Sequence, residues 1–316
     1  MSNKSLKAWP NKDDSLQFPQ GQRPSRNGDQ VWTSEIAPTL CFPDTEKSCF
    51  ACCPPIRPAG YEHIQHKSIV KRILRENTLL FADKKEWISP ITGFNCWALG
   101  YLDKRYRLVG CLLHPAQNGG ADLRYRVDYG DKCRRETCPE SNIFLDLGIN
   151  ERRFWIRLVD GLDSFAYSSN KNNPLFKMMG WGPEILRLVA SHEDRNTFSK
   201  ESFFRAYPFF STKLHPRANA YLLNKLVRME NIALLKTESF RGRFKSFSAE
   251  ISGRLRKTAR QMPNATHTHL LTLDPYFLDF LRLSVGLTKI HLEEAVRLKK
   301  IVHKAIRTFQ DEEGFS

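Results

Sequence analysis

Eight cysteines stand between positions 41 and 138 of a 316-residue chain, and none follows Cys138. Cys49-Phe-Ala-Cys52 has the two-residue spacing that lets both sulfurs of one tight turn reach a single ion, and Cys53 comes immediately after. Cys41 precedes this group, while Cys96, Cys111-Leu-Leu-His114 and the pair Cys133 and Cys138 follow it. That is enough sulfur for one or two four-coordinate centres, with His114 placed to be a ligand or to orient one. Thiolate is a soft donor that suits zinc, copper(I) and iron–sulfur clusters alike, so the residue types define a metal–thiolate chemistry without choosing the metal. A centre with an open position would act as a Lewis acid; a closed one would hold the fold.

A cysteine can also be no more than a small buried apolar residue, and Cys41 and Cys138 taken singly fit that reading as well as ligation. Cys49, Cys52, Cys53, Cys96 and Cys111 favour ligation because spacing and strand register agree. The segment from Cys96 to Leu113 carries Trp97, Leu99, Tyr101, Tyr106 and Leu108 around Asp103-Lys104, as a β-hairpin would. A turn centred between Asp103 and Lys104 sets Cys96 opposite Cys111, with both side chains on one face. Replacing Cys52 by Ser would then remove metal and stability together.

The elements that must position these residues are legible in outline. Residues 1–32 are polar and broken by Pro10, Pro19, Gly21, Pro24 and Gly28, so they read as a tail outside the fold. Residues 41–60 combine four cysteines with Pro43, Pro54, Pro55 and Pro58, a composition for an irregular loop held by ligands. From Glu62 to Phe81, Ile64, Ile69, Val70, Ile73, Leu74, Leu80 and Phe81 recur at helical steps. Beyond Cys138 the pattern is mainly helical. Pro183 opens a helix after the Gly180–Gly182 turn, Asp274-Pro275 caps another that stops at Gly286, and Leu292 to Phe309 is the last, with Ala295, Val296, Ile301, Val302, Ala305, Ile306 and Phe309 inward.

The opening residues show no apolar signal core, and no apolar run is long enough to span a bilayer, so the chain reads as cytoplasmic. In that compartment clustered cysteines are ligands or redox groups rather than structural disulfides. Net charge is +15, carried mostly by the second half. Between Lys236 and Arg260, Arg241, Arg243, Lys245, Arg254, Arg256 and Lys257 interleave with Phe240, Phe244 and Phe247. That mixture could track nucleic-acid phosphates and stack bases, or be an amphipathic helix with its rings inward. His63 and His66 read as solvent-facing, and His267-Thr-His269 as a loop feature. The phosphate-binding, nucleotide-binding, serine-hydrolase and zinc-protease signatures are all absent.

Over residues 41–138 the chain resembles the YkgJ-type cysteine-cluster family of zinc- or iron-chelating domains. Its Cys-x2-Cys-Cys ending is matched by Cys49-Phe-Ala-Cys52-Cys53, its later strands by Cys96-Trp-Ala-Leu99 and Cys111-Leu-Leu-His114, and its closing Cys-Arg by Cys133-Arg134. Cys41 stands eight positions before Cys49 where a three-residue step is usual, and a long insertion precedes Cys133. The resemblance implies a metal, zinc or iron with an iron–sulfur cluster included. A related motif in flagellin lysine N-methylases makes a protein-modifying enzyme one alternative; a zinc-stabilised nucleic-acid-binding protein is another. The expected architecture is α+β: a cysteine-rich module of loop, helix and hairpin over residues 33–145, then a mainly helical basic domain over 146–316.

Overall fold

In a computed structural model of the chain, residues 37–53, 60–83, 96–135, 137–193, 199–260 and 265–314 are described; the expected tail over 1–32 lies outside them. Among the described residues the fold is mostly helical, with two small two-stranded antiparallel sheets. No helix of the described residues is long and apolar enough to cross a membrane.

The first long helix, α1 (Lys67–Asp83), follows a 3-10 turn over His63–His66, as the periodicity anticipates. It buries Val70 and Leu74 and leaves Ile69 and Leu80 on the outside. The polar Asn77 points inward instead, because its amide donates to the carbonyls of Cys96 and Leu99 at 3.2 and 2.9 Å. Thr78 accepts from the Tyr101 N–H at 2.8 Å, so α1 is fastened to the hairpin along its edge.

The hairpin pairs β1 (Leu99–Tyr101) with β2 (Val109–Cys111), but its register differs from the expected one. Leu99, not Cys96, faces Cys111. The loop Leu102–Leu108 is longer than a tight Asp-Lys turn. Asp103 Oδ1 accepts from the N–H groups of both Arg107 and Leu108 at 2.8 Å, and Tyr106 adopts a left-handed φ of 55°. Cys96 therefore lies ahead of β1 rather than across from Cys111.

Short helices follow: α2 (Gly130–Arg135), α3 (Pro139–Leu145), α4 (Ile149–Ile156), α5 (Ser164–Tyr167), α6 (Pro174–Met179), α7 (Pro183–His192), α8 (Lys200–Ala206) and α9 (Pro216–Leu226). Four of these eight begin in the same way, with Pro139, Pro174, Pro183 and Pro216 in the first helical turn, where no N–H is missed, while Asp163 caps α5. The long α10 (Glu238–Thr258) leads to the small sheet of β3 (Thr266–His267) and β4 (Lys289–Ile290), with α11 (Pro275–Asp279) between them. The chain then closes with α12 (Leu292–Glu313). On α12, Val296 is exposed, and Leu298 and Glu294 take the inward positions.

Asp274 caps α11 by accepting from the N–H groups of Tyr276 and Phe277, and the helix continues as a π turn to Gly286. Asp274→Ala leaves those donors unmet and is expected to lower stability by about 1 kcal/mol in a urea titration.

Two hydrophobic cores result. The large one is rich in rings, including Trp155, Trp181, Phe203, Tyr207, Phe209, Phe240 and Phe244. The small one holds Phe50, Val70, Leu74, Cys96, Trp97, Tyr101 and Val109. They do not divide the chain at one point: Leu40 and Phe144 belong to the large core, and Phe165 to the small one.

Candidate metal centre

The loop that carries Cys49, Cys52 and Cys53 is framed by serines from distant parts of the chain. Ser48 is fully buried; its Oγ donates to the Val109 carbonyl at 2.7 Å and accepts the Val109 N–H at 2.6 Å. The Ser48 N–H donates to Ser164 Oγ at 3.0 Å, and the Phe50 N–H to Ser168 Oγ at 2.9 Å. Phe50 meets Phe165 edge-on at 5.2 Å, and His63 Nε2 pairs with the Cys53 carbonyl. The Cys49 N–H donates to the Cys41 carbonyl at 2.8 Å, which sets Cys41 beside the loop. The segment Ser48–Cys53 is thus tied at once to β2, α5 and the start of the described chain.

All eight cysteines are unoxidised; Cys41 and Cys52 are exposed, Cys96 is buried and the others are half-buried. Their sulfurs have two kinds of neighbour. The first is backbone N–H. Nearby N–H groups ease ionisation: that of Ala51 for Cys49, those of Ala98 and Leu99 for Cys96, that of Leu113 for Cys111, and those of Glu140 and Ser141 for Cys138. In all four, one such group belongs to the residue two positions after the cysteine, and it favours the ionised form. The second kind is other sulfurs. Ionisation of one opposes that of others: Cys41, Cys52 and Cys138 raise the thiol of Cys49; Cys52, Cys111 and Cys96 raise that of Cys53; and Cys133 raises those of Cys96 and Cys111.

Arg124 supplies a positive charge that sequence patterning did not single out. Its guanidinium holds Asp122 through two bonds at 2.9 and 2.7 Å, and its third nitrogen donates to the Cys133 carbonyl at 3.0 Å. That clamp depresses the Asp122 carboxyl to about 2, and the same charge draws down the thiols of Cys111 and Cys133 against the effect of burial. Only the Asp-x-Arg spacing hinted at it. Ser48, Ser164 and Ser168 carried no signal, because their role depends on partners more than a hundred residues away.

His114 is half-buried beside Arg124, and burial lowers its pKa first of all. Its Nδ1 accepts the Ala116 N–H at 3.2 Å and caps the turn Pro115–Gln117, leaving only Nε2 for any other bond. His63 is buried rather than solvent-facing, because its ring packs on Phe50 and engages the Cys53 carbonyl. His267 and His269 lie at the exposed second sheet, ring to ring at 5.6 Å. Phe240, Phe244 and Phe247 are buried in the large core, so no ring of α10 is available to stack on a base.

Without a metal the thiols resist ionisation. Burial raises Cys96 to about 11 and Cys111 and Cys138 to about 12, and lifts Cys49 far above its usual range. The Cys53 thiol is raised chiefly by its hydrogen bond with Cys52. Among the described residues no three His, Cys, Asp or Glu side chains converge tightly enough to hold an ion as they stand. In donor type and number the sulfurs fit a soft metal, and the N–H groups and Arg124 fit the negative charge such a centre carries.

The sign of the thiol shifts fixes a pH dependence. A thiol whose folded pKa exceeds its unfolded value keeps a proton that the unfolded chain releases above about pH 9. The metal-free protein should therefore be fully stable below pH 9 and lose stability as the pH climbs through 9 towards 12. Buried tyrosines such as Tyr207 and Tyr276 act in the same direction, but equally with or without metal. The test is the difference between denaturant midpoints of metal-free and metal-loaded protein across this window: it should widen with pH, and a constant difference contradicts the assignment of these thiols as ligands.

No protein family, curated protein or solved structure matches this chain in comparisons with known proteins.

Proposed function

We propose that this chain is a metal-binding protein that coordinates zinc or iron through its clustered cysteines. The observation that carries the reading is the packing of Cys49 and Cys138 on the large core and of Cys53, Cys96 and Cys111 on the small one around one short loop, with nearby backbone N–H groups favouring the ionised form of Cys49, Cys96, Cys111 and Cys138. A cysteine that only fills apolar space gains nothing from such donors, whereas a metal-bound thiolate is oriented and stabilised by them. Cys41, Cys52, Cys53 and Cys133 complete the donor set, and the bound ion would supply a positive charge that the desolvated thiolates lack. Arg124 offsets part of the residual negative charge, and the Ser48, Ser164 and Ser168 bonds hold the loop in place.

The experiment is elemental analysis with a visible absorption spectrum on full-length protein purified without oxygen. Zinc in a colourless protein supports a thiolate zinc centre; iron accompanied by sulfide absorption supports cluster chemistry and gives weight to the protein-modifying alternative. Absence of both metals, from protein that still cannot be loaded in vitro, overturns the proposal.

A further inference from the structure

We infer that the cavity between α7 and the end of α9 is a binding site for a peptide segment: one apolar side chain lies against Ile185, Leu188, Val227 and Met229, and the adjoining peptide group pairs with the side-chain amide of Asn224. None of the eight cysteines lines this cavity, so the inference stands apart from the metal-binding reading.

The cavity measures about 350 Å³, near the lower end of the roughly 300–1,000 Å³ found for small-ligand sites. Its walls are held by bonds within the fold. On one side α7 presents Ile185 and Leu188, three residues apart and so on one face. That helix is fixed from behind: the Trp155 indole donates to the Leu186 carbonyl at 3.2 Å, and Arg187 donates to the Asp146 carbonyl at 2.5 Å and faces Glu151 at 3.9 Å. On the other side α9 ends at Leu226 and the chain turns through Val227, Arg228 and Met229. Asn231 ties this turn, its Oδ1 accepting the Arg228 N–H at 2.7 Å and its Nδ2 donating to the Leu226 carbonyl at 3.0 Å. Val227 is buried in the turn, while Met229 is half-exposed.

Asn224 supplies the second, independent observation. Two other asparagines flank it in sequence, and both use each end of the amide: Asn219 donates to the His215 carbonyl at 2.9 Å and accepts from Ser248, and Asn231 ties the turn. Asn224 lines the cavity and is only 5% exposed, yet its Oδ1 has no hydrogen-bond partner among the described residues. A buried polar atom left unmet is destabilising, and an occupant that meets it relieves that penalty. The two ends of a side-chain amide trade places by a half-turn, so an occupant that serves Asn224 in either orientation carries both a donor and an acceptor. A peptide group carries both, whereas an ammonium offers only donors and a fully ionised phosphate only acceptors. The apolar walls then select a hydrocarbon side chain beside that group, and a leucine-like residue within a peptide unites the two.

The test is a titration of the full chain, labelled with carbon-13 at its methionine methyl groups, with N-acetyl-leucine amide. A saturable shift of the Met229 methyl resonance is the expected result, and its absence overturns the inference. Asn224→Leu keeps the volume of the side chain and removes the unmet polar atom, so the variant should melt no lower than the native protein while binding the probe about tenfold more weakly or worse. Undiminished affinity in that variant overturns the part given to the amide. The native protein decides the same point even if the variant fails to fold: isoamyl alcohol retains the branched hydrocarbon and lacks the peptide groups, so it should bind at least about tenfold more weakly than the probe, and equal binding overturns the inference.

Discussion

On the proposed metal-binding reading, stripping the metal from the loaded protein is expected to lower its melting temperature by on the order of 10 °C. A structural zinc in a small peptide supplies about 10–16 kcal/mol of apparent folding free energy. Here the small core and the serine bonds already hold part of the frame, so a third of that figure is a fair share. At about 2–4 °C per kcal/mol for a chain of this size, the shift follows. At neutral pH the released thiols take up protons, since burial holds Cys96, Cys111 and Cys138 at about 11 to 12. The loss therefore reflects missing bonds rather than charge repulsion. Amide exchange should quicken first in residues 37–53 and 96–138 and stay slow in α10 and α12. An unchanged melting curve after complete metal removal would count against any structural part for the centre.

Trp155→Ala should destabilise the protein by about 3–5 kcal/mol in denaturant unfolding. The indole is fully buried, donates to the Leu186 carbonyl at 3.2 Å, and stands edge-on to Phe154 and Phe203 at 5.1 and 5.5 Å. Truncation opens a cavity among rings that cannot shift inward, because Phe203 is itself stacked on Tyr207 and Phe210. It also leaves the Leu186 carbonyl without its indole donor. Metal content should be unaffected as long as the variant stays folded, which separates the two kinds of stabilisation. A loss below about 1 kcal/mol would mean that the large core repacks freely around this position.

The elements whose formation depends on local sequence were legible. Helical spacing of Val70 and Leu74, the Asp274-Pro275 start and the Leu292 helix all reappear in the structure, because each rests on near neighbours. The hairpin was legible as an element, but its register was not. Sequence suggested a turn centred on Asp103-Lys104, whereas the Asp103 carboxylate binds two backbone N–H groups further along and moves the centre to Arg105. Cys96 and Cys111 do not oppose each other, though both pack in the small core. Asn77 on α1 and Glu294 on α12 occupy inward positions that an apolar pattern reserves for hydrophobic residues. Asn77 meets carbonyls there; Glu294 is held by Arg297 and the Arg260 N–H. The candidate cysteines were visible from type and spacing alone. Their grouping was not, since it depends on which core each segment packs against.

The bond between Ser48 and Ser164 joins residues 116 positions apart, which sets an order of events during synthesis. At roughly 5–20 residues per second, the ribosome needs roughly 6–23 s to supply the partner after Ser48 has been made. Through that interval Cys41, Cys49, Cys52 and Cys53 are already part of the nascent chain while the frame that fixes their loop is incomplete. On the proposed reading, an ion that reached these thiols in that interval would be chosen by its availability rather than by the shape of the site, which is fixed only once α5 has emerged.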